Sequence, residues 1–168
     1  VTITVRVNTK RTEKLLQRFG TSINRDKIFE KIRKRMLLWA KDNFERKGIA
    51  RKWQPLSPKT VLKKGHATIL EDTGKLGKSF KTFIKGDSIE LTNVDKKAPW
   101  HHFGAGPQLI TPKKNKFMVF EGENGPVFTK QVRMEIPARP LLPSKSTLQR
   151  IVQDEINKTI KEETEAAA

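Results

Sequence analysis

The sequence contains no cysteine among its 168 residues. Disulfide bonds, zinc sites with thiolate ligands and cysteine nucleophiles are therefore excluded, and the absence agrees with a reducing compartment. Tyrosine is absent as well, which leaves nine Phe and three Trp as the aromatic residues. Most of them stand at periodic apolar positions that belong in a core, so few remain to stack on nucleic-acid bases.

Long apolar segments are also lacking. The longest uninterrupted run is Met36 to Ala40, far below the roughly 20 residues that a membrane-spanning helix needs. The first residues lack the apolar centre of a signal peptide, so we expect a soluble protein that is not secreted. Hydrophobic residues make up 35% and charged residues 32%. This composition predicts one domain over residues 1–168, with a modest core under a densely ionic surface.

Familiar catalytic patterns are missing. The chain has no GxSxG, HxxxH or HExxH motif and no paired acids at a catalytic spacing. The stretch GKLGKS at residues 74–79 has the residue types of a phosphate-binding loop. It lacks the four-residue spacer before the Gly-Lys pair, so a turn is the favoured interpretation. We therefore expect no catalytic residue, no metal ligands and no cofactor.

Positive charge is abundant: 35 Lys and Arg against 18 Asp and Glu give a net charge of +17. A field of this size attracts polyanions or acidic protein surfaces. The excess is uneven, because fourteen basic residues face four acids between Arg25 and Lys64, whereas two lysines face five acids from Asp154 onwards. One end of the chain could attract the other, within a subunit or between neighbours.

Strands are predicted where apolar and polar residues alternate. Residues 1–7 show this period and predict a strand with one buried face. The segments 80–85 and 88–94 flank Gly86-Asp87, a pair typical of a hairpin turn. A second hairpin is predicted over residues 116–120 and 127–133. It lies in a basic stretch at about 108–133 that we expect to project as an arm.

The N-terminal half also shows helical periodicity. A short polar helix is predicted over residues 12–19, and a long helix from a capping Asn24 to about Lys47, because apolar residues recur at steps of three and four. The opposite face of the long helix is basic. It carries Lys27, Lys31, Lys34, Arg35 and Lys41. This face is either a solvated surface or a docking surface for a partner or DNA.

Two further helices complete the prediction. Ser57 offers an N-cap to a short helix that ends at about Lys64, and Ser144 caps a final helix with one apolar stripe. Residues 161–168 are expected to form a flexible tail. The predicted fold is α+β, an antiparallel sheet of hairpins packed against the long N-terminal helix and the C-terminal helix, with a projecting β-hairpin arm.

Two of the three histidines are adjacent in PWHHFGAG, residues 99–106. Neighbouring side chains point about 100° apart on a helix and to opposite faces on a strand, so His101 and His102 do not easily converge on one metal. We expect a structural corner formed by His101, His102 and Gly104, in which the glycine lets the chain bend between two sheet elements.

The segment EIPARPLLP follows at residues 135–143. Its three prolines forbid helix and bias each preceding residue to extended geometry. The segment is therefore predicted to run as an extended strap before the last helix.

Three segments, in this order, resemble the phage virion morphogenesis (Mu-like G protein) and tail-completion family. They are KWQPLSPKTVLKKGHATILEDTGKLGKSF at 52–80, APWHHFGAG at 98–106 and IPARPLLP at 136–143. The helix ending in NFERKG also fits the family's pattern. The resemblance covers about residues 26–160, and its strength lies in the order and spacing of the segments.

The resemblance implies a structural protein of a tailed phage or phage-like particle, with no known chemistry. Such proteins act in tail completion and head–tail joining, as a homo-oligomeric ring matching the sixfold symmetry of the tail, at its head-proximal end or in the neck. The implied partners are tail terminator, tail tube or neck-connector proteins, with no membrane. The implied location is the virion, assembled in the bacterial cytoplasm.

Six residues are candidates for contacts with a neighbouring subunit or tail protein. They are Lys113, Lys114 and Lys116 at the base of the second hairpin, and Arg139, Leu141 and Leu142 in the strap. For the two leucines the alternative is that they only cover the domain's own core.

Two other functions remain open. The charge could serve a nonspecific nucleic-acid-binding protein, or contacts with DNA in the channel of a ring. A metal-dependent nuclease using His101 and His102 is the third hypothesis.

Overall fold

In the computed structural model, which describes residues 2–10, 25–122 and 125–166, helices and strands mix in an α+β arrangement. The elements in chain order are β1 (Ile3–Asn8), α1 (Arg25–Glu45), α2 (Pro58–Lys64), α3 (Lys75–Lys78), β2 (Phe80–Lys85), β3 (Ser88–Asn93), α4 (Ala98–Phe103), β4 (Ala105–Ile110), β5 (Met118–Gly122), β6 (Gly125–Thr129), β7 (Val132–Ile136) and α5 (Lys145–Ala166). The predicted helix over 12–19 and the capping Asn24 lie outside the described residues.

A three-stranded antiparallel sheet has the order β1-β3-β2. The hairpin predicted around Gly86-Asp87 is confirmed as β2 and β3, with Gly86 in the left-handed region at φ 55°. Strand β1 pairs with the other edge of β3, so Val5 and Thr82 both lie opposite Leu91. The sheet therefore brings the N-terminus against a hairpin about eighty residues later in the chain.

Helices α1 and α5 contact each other and the sheet, and the core lies between them. The apolar stripe of α1 is buried as its periodicity predicts, although the helix ends at Glu45 and not at Lys47. Its buried residues are Ile28, Phe29, Ile32, Met36, Ala40, Asn43 and Phe44. Helix α5 buries Leu148, Ile151, Val152 and Ile156 from its own stripe.

Where the sequence predicted a flexible tail at 161–168, the structure extends α5 to Ala166. The Nζ of Lys27 forms an ion pair with Oε1 of Glu163 at 2.5 Å. The Nζ of Lys31 forms an ion pair with Oε2 of Glu162 at 2.6 Å. These pairs hold the last helical turns against α1. Part of the attraction between the basic and acidic ends of the chain therefore acts within one subunit.

The short helix α2 begins and ends where local chemistry predicts. The Ser57 hydroxyl accepts a hydrogen bond from the backbone N–H of Thr60 at 3.3 Å, and Gly65 closes α2 at φ 76°. Helix α4 was not predicted. It forms a short helix over the tryptophan and the adjacent histidines, with a proline in its first turn and Gly104 after it.

The arm consists of strands β4 to β7, from Ala105 to Ile136, and differs from the single hairpin predicted at about 108–133. Strands β5 and β6 form a two-stranded tip, whereas β7 pairs with β4 in a second ribbon below it. Residues 132–133, assigned from sequence to the tip, therefore belong to the base. The reason is a turn at the end of β6, where the Thr129 hydroxyl donates to the carbonyl of Gln131 at 2.7 Å. Residues 123–124 of the predicted turn lie outside the described residues.

Candidate functional site

The strap, residues 137–143, is attached to the body by side chains from two other segments. Asn43 in α1 donates from Nδ2 to the carbonyl of Pro140 at 3.0 Å, and Trp53 donates from Nε1 to the same oxygen at 3.3 Å. Arg139 donates from Nη2 to the carbonyl of Gln54 at 3.0 Å. The carbonyl of Pro140 in the strap therefore accepts from side-chain donors of the body. A segment outside helices and sheets needs such partners, because its buried backbone groups have no regular hydrogen bonds.

The adjacent histidines contact the same strap. His102 accepts at Nδ1 from the backbone N–H groups of Leu141, at 3.0 Å, and Leu142, at 3.4 Å. An imidazole that accepts at Nδ1 carries its proton on Nε2. Burial lowers the pKa of His102 below its ordinary value, which keeps the ring neutral and able to accept.

His101 contributes mainly through its backbone. Its carbonyl accepts from the N–H of Arg139 at 2.7 Å. Burial lowers the pKa of His101, and the nearby charges of Arg139 and Lys97 lower it further against an opposing effect of Asp95. Its Nδ1 is buried without a hydrogen-bond partner among the described residues.

Gly104 lets the corner and the strap approach each other. It has φ 74°, and a Cβ there would lie 2.7 Å from the carbonyl oxygen of Ile136 and 2.8 Å from the nitrogen of Ala138. His101, His102 and Gly104 together form a clamp on the strap. Within the described part of the chain, no group of three His, Asp or Glu side chains is arranged to hold a metal ion.

The strap residues proposed as partner contacts require a correction. Leu141 is completely buried and Leu142 nearly so, while Arg139 is 5% exposed. The leucines belong to the same core cluster as Leu148 of α5. Burial lowers the pKa of Arg139, but a guanidinium stays charged. These three side chains serve the protein's own core and are not available to a neighbour.

Lys113, Lys114 and Lys116 are exposed in the link between β4 and β5. The tip that follows exposes apolar side chains on both faces. Cross-strand pairs Val119–Phe128 and Phe120–Val127 occupy opposite faces because neighbouring strand residues alternate. All four side chains are exposed, Phe128 by 63%. Sequence reasoning selected the lysines and missed these pairs, although consecutive apolar residues in a projecting hairpin were a usable signal.

An open groove of about 320 Å³ runs between edge strand β1 and the corner. Its walls include Ile3, Val5, Phe103 and Leu142, and His102 is its one ionisable side chain. Such a surface offers apolar contact and backbone edge pairing. It has no paired acid and base for catalysis.

Within the parts of the chain that the structure describes, no helix combines the length and apolar character needed to cross a bilayer. No curated protein and no solved structure matches the chain significantly. The sequence profile of the phage virion morphogenesis family, in contrast, matches residues 7–161, which include α1, the corner, the arm and the strap. This match confirms the resemblance carried by the three sequence segments, and the chain belongs to the phage virion morphogenesis family.

Proposed function

We propose that the protein acts in tail completion and head–tail joining, as a ring of identical subunits at the head-proximal end of the tail or in the neck. Membership of the virion morphogenesis family supports a structural, non-catalytic role in phage assembly. The tail's symmetry favours six subunits. In this proposal the protein is part of the virion, contacts tail terminator, tail tube or neck-connector proteins, and assembles in the bacterial cytoplasm.

The arm tip carries this proposal. A two-stranded ribbon is at best marginally stable alone in water, and this one exposes Val119 and Phe128 on one face and Phe120 and Val127 on the other. Apolar surface on both faces of a ribbon is typical of an element that is covered on both sides after assembly. We assign one face to the neighbouring subunit and the other to a tail or neck protein.

Lys113, Lys114 and Lys116 lie next to this ribbon and are exposed. No ion pair joins them to a carboxylate among the described residues. Charged groups at the rim of an apolar contact steer association and select the partner more than they add affinity. The three lysines therefore guide the arm onto an acidic neighbour.

The test compares the two faces of the ribbon. Mass photometry and negative-stain electron microscopy of the purified wild type should show closed rings. The pair Val119→Ser with Phe128→Ser, or the pair Phe120→Ser with Val127→Ser, should convert them to monomers. If one of these double variants still forms rings, that variant should instead fail to attach to tails. Leu62→Ser is the matched control, because Leu62 is 71% exposed outside the arm and its loss should change neither result.

A protein that stays monomeric at all concentrations and is absent from purified particles would contradict the proposal. The second candidate function is a free, nonspecific nucleic-acid-binding protein, which the net charge of +17 favours. Monomers that bind duplex DNA tightly, with arm variants binding as well as wild type, would favour that alternative.

A further inference from the structure

The segment from Arg46 to Lys64 contains seven basic residues and no acid. Six of the basic side chains are exposed, and we call them the basic loop surface. They are Arg46, Lys47, Arg51, Lys52, Lys59 and Lys63. None of these six pairs with a carboxylate in the described residues, whereas Lys27 and Lys31 of α1 are paired with Glu163 and Glu162. This loop and α2 therefore carry unpaired positive charge with no acid in the segment, in addition to the exposed lysines of the arm.

The loop is held in one shape. Gly48 has φ 100°, and a Cβ there would lie 2.0 Å from the carbonyl oxygen of Arg51. The side-chain oxygen of Asn43 accepts from the N–H of Ile49 at 2.8 Å, and the N–H of Trp53 donates to the carbonyl of Lys47 at 2.9 Å. Cations on an ordered loop lose less conformational freedom when they bind an anion.

Further copies of the chain add to the total positive charge and do not offset it. Every added subunit brings its own net charge of +17, so the positive excess of a homo-oligomer grows with its size. Self-repulsion of this kind favours an acidic partner of another kind. Duplex DNA carries about one negative charge per 1.7 Å of helix axis and supplies that density.

The side chains of the surface favour phosphate over an acidic protein. Four of the six cations are lysines, which are depleted in protein–protein interfaces and bind phosphate as point charges. Trp53, the aromatic residue of the segment, is 4% exposed, so no ring is presented for base stacking. Ile49 and Leu62 are exposed there, but neither can hydrogen-bond to a base edge.

We propose that the basic loop surface binds the phosphate backbone of duplex DNA without reading its sequence. Each phosphate contact contributes about −0.9 to the slope of the logarithm of the binding constant against the logarithm of the salt concentration. Six contacts would therefore give a slope of about −5. Binding is therefore firm at low salt and weak at physiological salt. Neither ring formation nor tail attachment is needed for this binding.

The experiment measures fluorescence anisotropy of a short labelled duplex of mixed sequence over a series of NaCl concentrations. The variant Arg51→Gln, Lys59→Gln, Lys63→Gln should bind about tenfold or more weakly at low salt, with a slope shallower by about 2 to 3. The control Lys34→Gln, Lys145→Gln, Arg150→Gln removes the same charge at exposed positions elsewhere. It should change the slope by less than half as much.

Equal effects of the two triple variants would overturn the proposal, because net charge alone would then explain binding. Tighter binding of a single strand of the same length, or better displacement of the duplex by polyglutamate than by unlabelled duplex, would also overturn it. Mass photometry of the same variants separates this result from the function proposed above. Loss of DNA binding with unchanged oligomers supports the surface whether or not the oligomers are rings.

Discussion

The body of the molecule and its arm use similar apolar residues in opposite ways. In the body, Leu141 of the strap is fully buried in the core cluster that includes Leu148 of α5, whereas Leu109 in the arm is 63% exposed. The body has a helical layer over its sheet, which lets the sheet face and the helical stripes cover each other. The arm consists of two ribbons of two strands each, and apolar side chains of both ribbons, such as Leu109 and Phe128, are exposed. Apolar residues that cannot be covered internally indicate contact with other molecules.

The boundary between the two regions is narrow. Gly104 ends α4 just before the arm begins, and Ile136 ends the arm just before the strap begins. Both ends of the arm therefore meet at the clamp, where the carbonyl of Ile136 lies against Gly104. Contacts in the clamp should consequently affect stability, and contacts in the arm should affect assembly.

The largest expected effect on stability comes from Leu141→Ala. Truncation of a fully buried leucine leaves a cavity, which costs about 2–5 kcal/mol of unfolding free energy. Leu109→Ala is the matched change in the arm and should stay within about 0.5 kcal/mol of wild type. Urea denaturation monitored by tryptophan fluorescence measures both. Similar costs at the two positions would remove the distinction between body and arm.

Gly104→Ala should have the next largest effect. The new Cβ would lie under 3 Å from two backbone atoms of the strap, at a positive φ, and such strain costs about 1–3 kcal/mol. Gly106→Ala is the control, because a Cβ there meets nothing within 4 Å and its φ is not positive. Thermal melts followed by circular dichroism should place the control close to wild type. A Gly104→Ala protein as stable as the control would show that the clamp is not closely packed.

The smallest effect concerns His102 and pH. The pKa of His102 lies below its ordinary value in the folded state, so the unfolded chain takes up a proton first as the pH falls below about 6.5. The contribution of His102 to the unfolding free energy should thus be fully present above about pH 6.5. It should decline at lower pH, because the unfolded chain then binds a proton that the folded chain does not. Unfolding measured between pH 7.5 and pH 5.5 follows this decline.

His102→Phe removes the acceptor for the N–H groups of Leu141 and Leu142 and should cost about 1 kcal/mol at neutral pH. It should also make the pH dependence shallower, but not flat, because burial lowers the pKa of His101 as well. His66→Phe is the control at neutral pH: His66 is exposed, and its replacement leaves the N–H groups of Leu141 and Leu142 bonded to His102, so it should cost less unfolding free energy than His102→Phe. A His102→Phe profile as steep as wild type would contradict the assigned role of this ring.

Much of the fold could be predicted because its signals are local. Ser57 caps α2 and Gly86 turns the β2–β3 hairpin, as neighbouring residues alone indicate. The division of the arm into two ribbons could not be predicted in this way. Strand β7 pairs with β4 some twenty-five residues earlier, and the sequence period of β7 is the same whether its partner is β4 or β5.

The candidate site was only partly predictable for a similar reason. The exposed lysines of the arm were identified because charged residues in a polar loop remain in water. The strap forms no helix, as its prolines predict, but the prolines do not say which way its side chains face. The burial of Arg139 depends on the carbonyl of Gln54, which lies 85 residues away along the chain.

The sequence by itself determined the long helices α1 and α5, the short helix α2, the hairpin of the body, the family and the large positive charge, because periodicity, caps, turn residues and composition are properties of short segments. Only the tertiary structure decided which apolar residues the protein keeps for its own core and which it leaves exposed. The tertiary structure also decided that His102 binds the strap, because the N–H group that it accepts from belongs to Leu141, 39 residues later in the chain. Such choices depend on which distant segments lie side by side, and no local pattern encodes that distance.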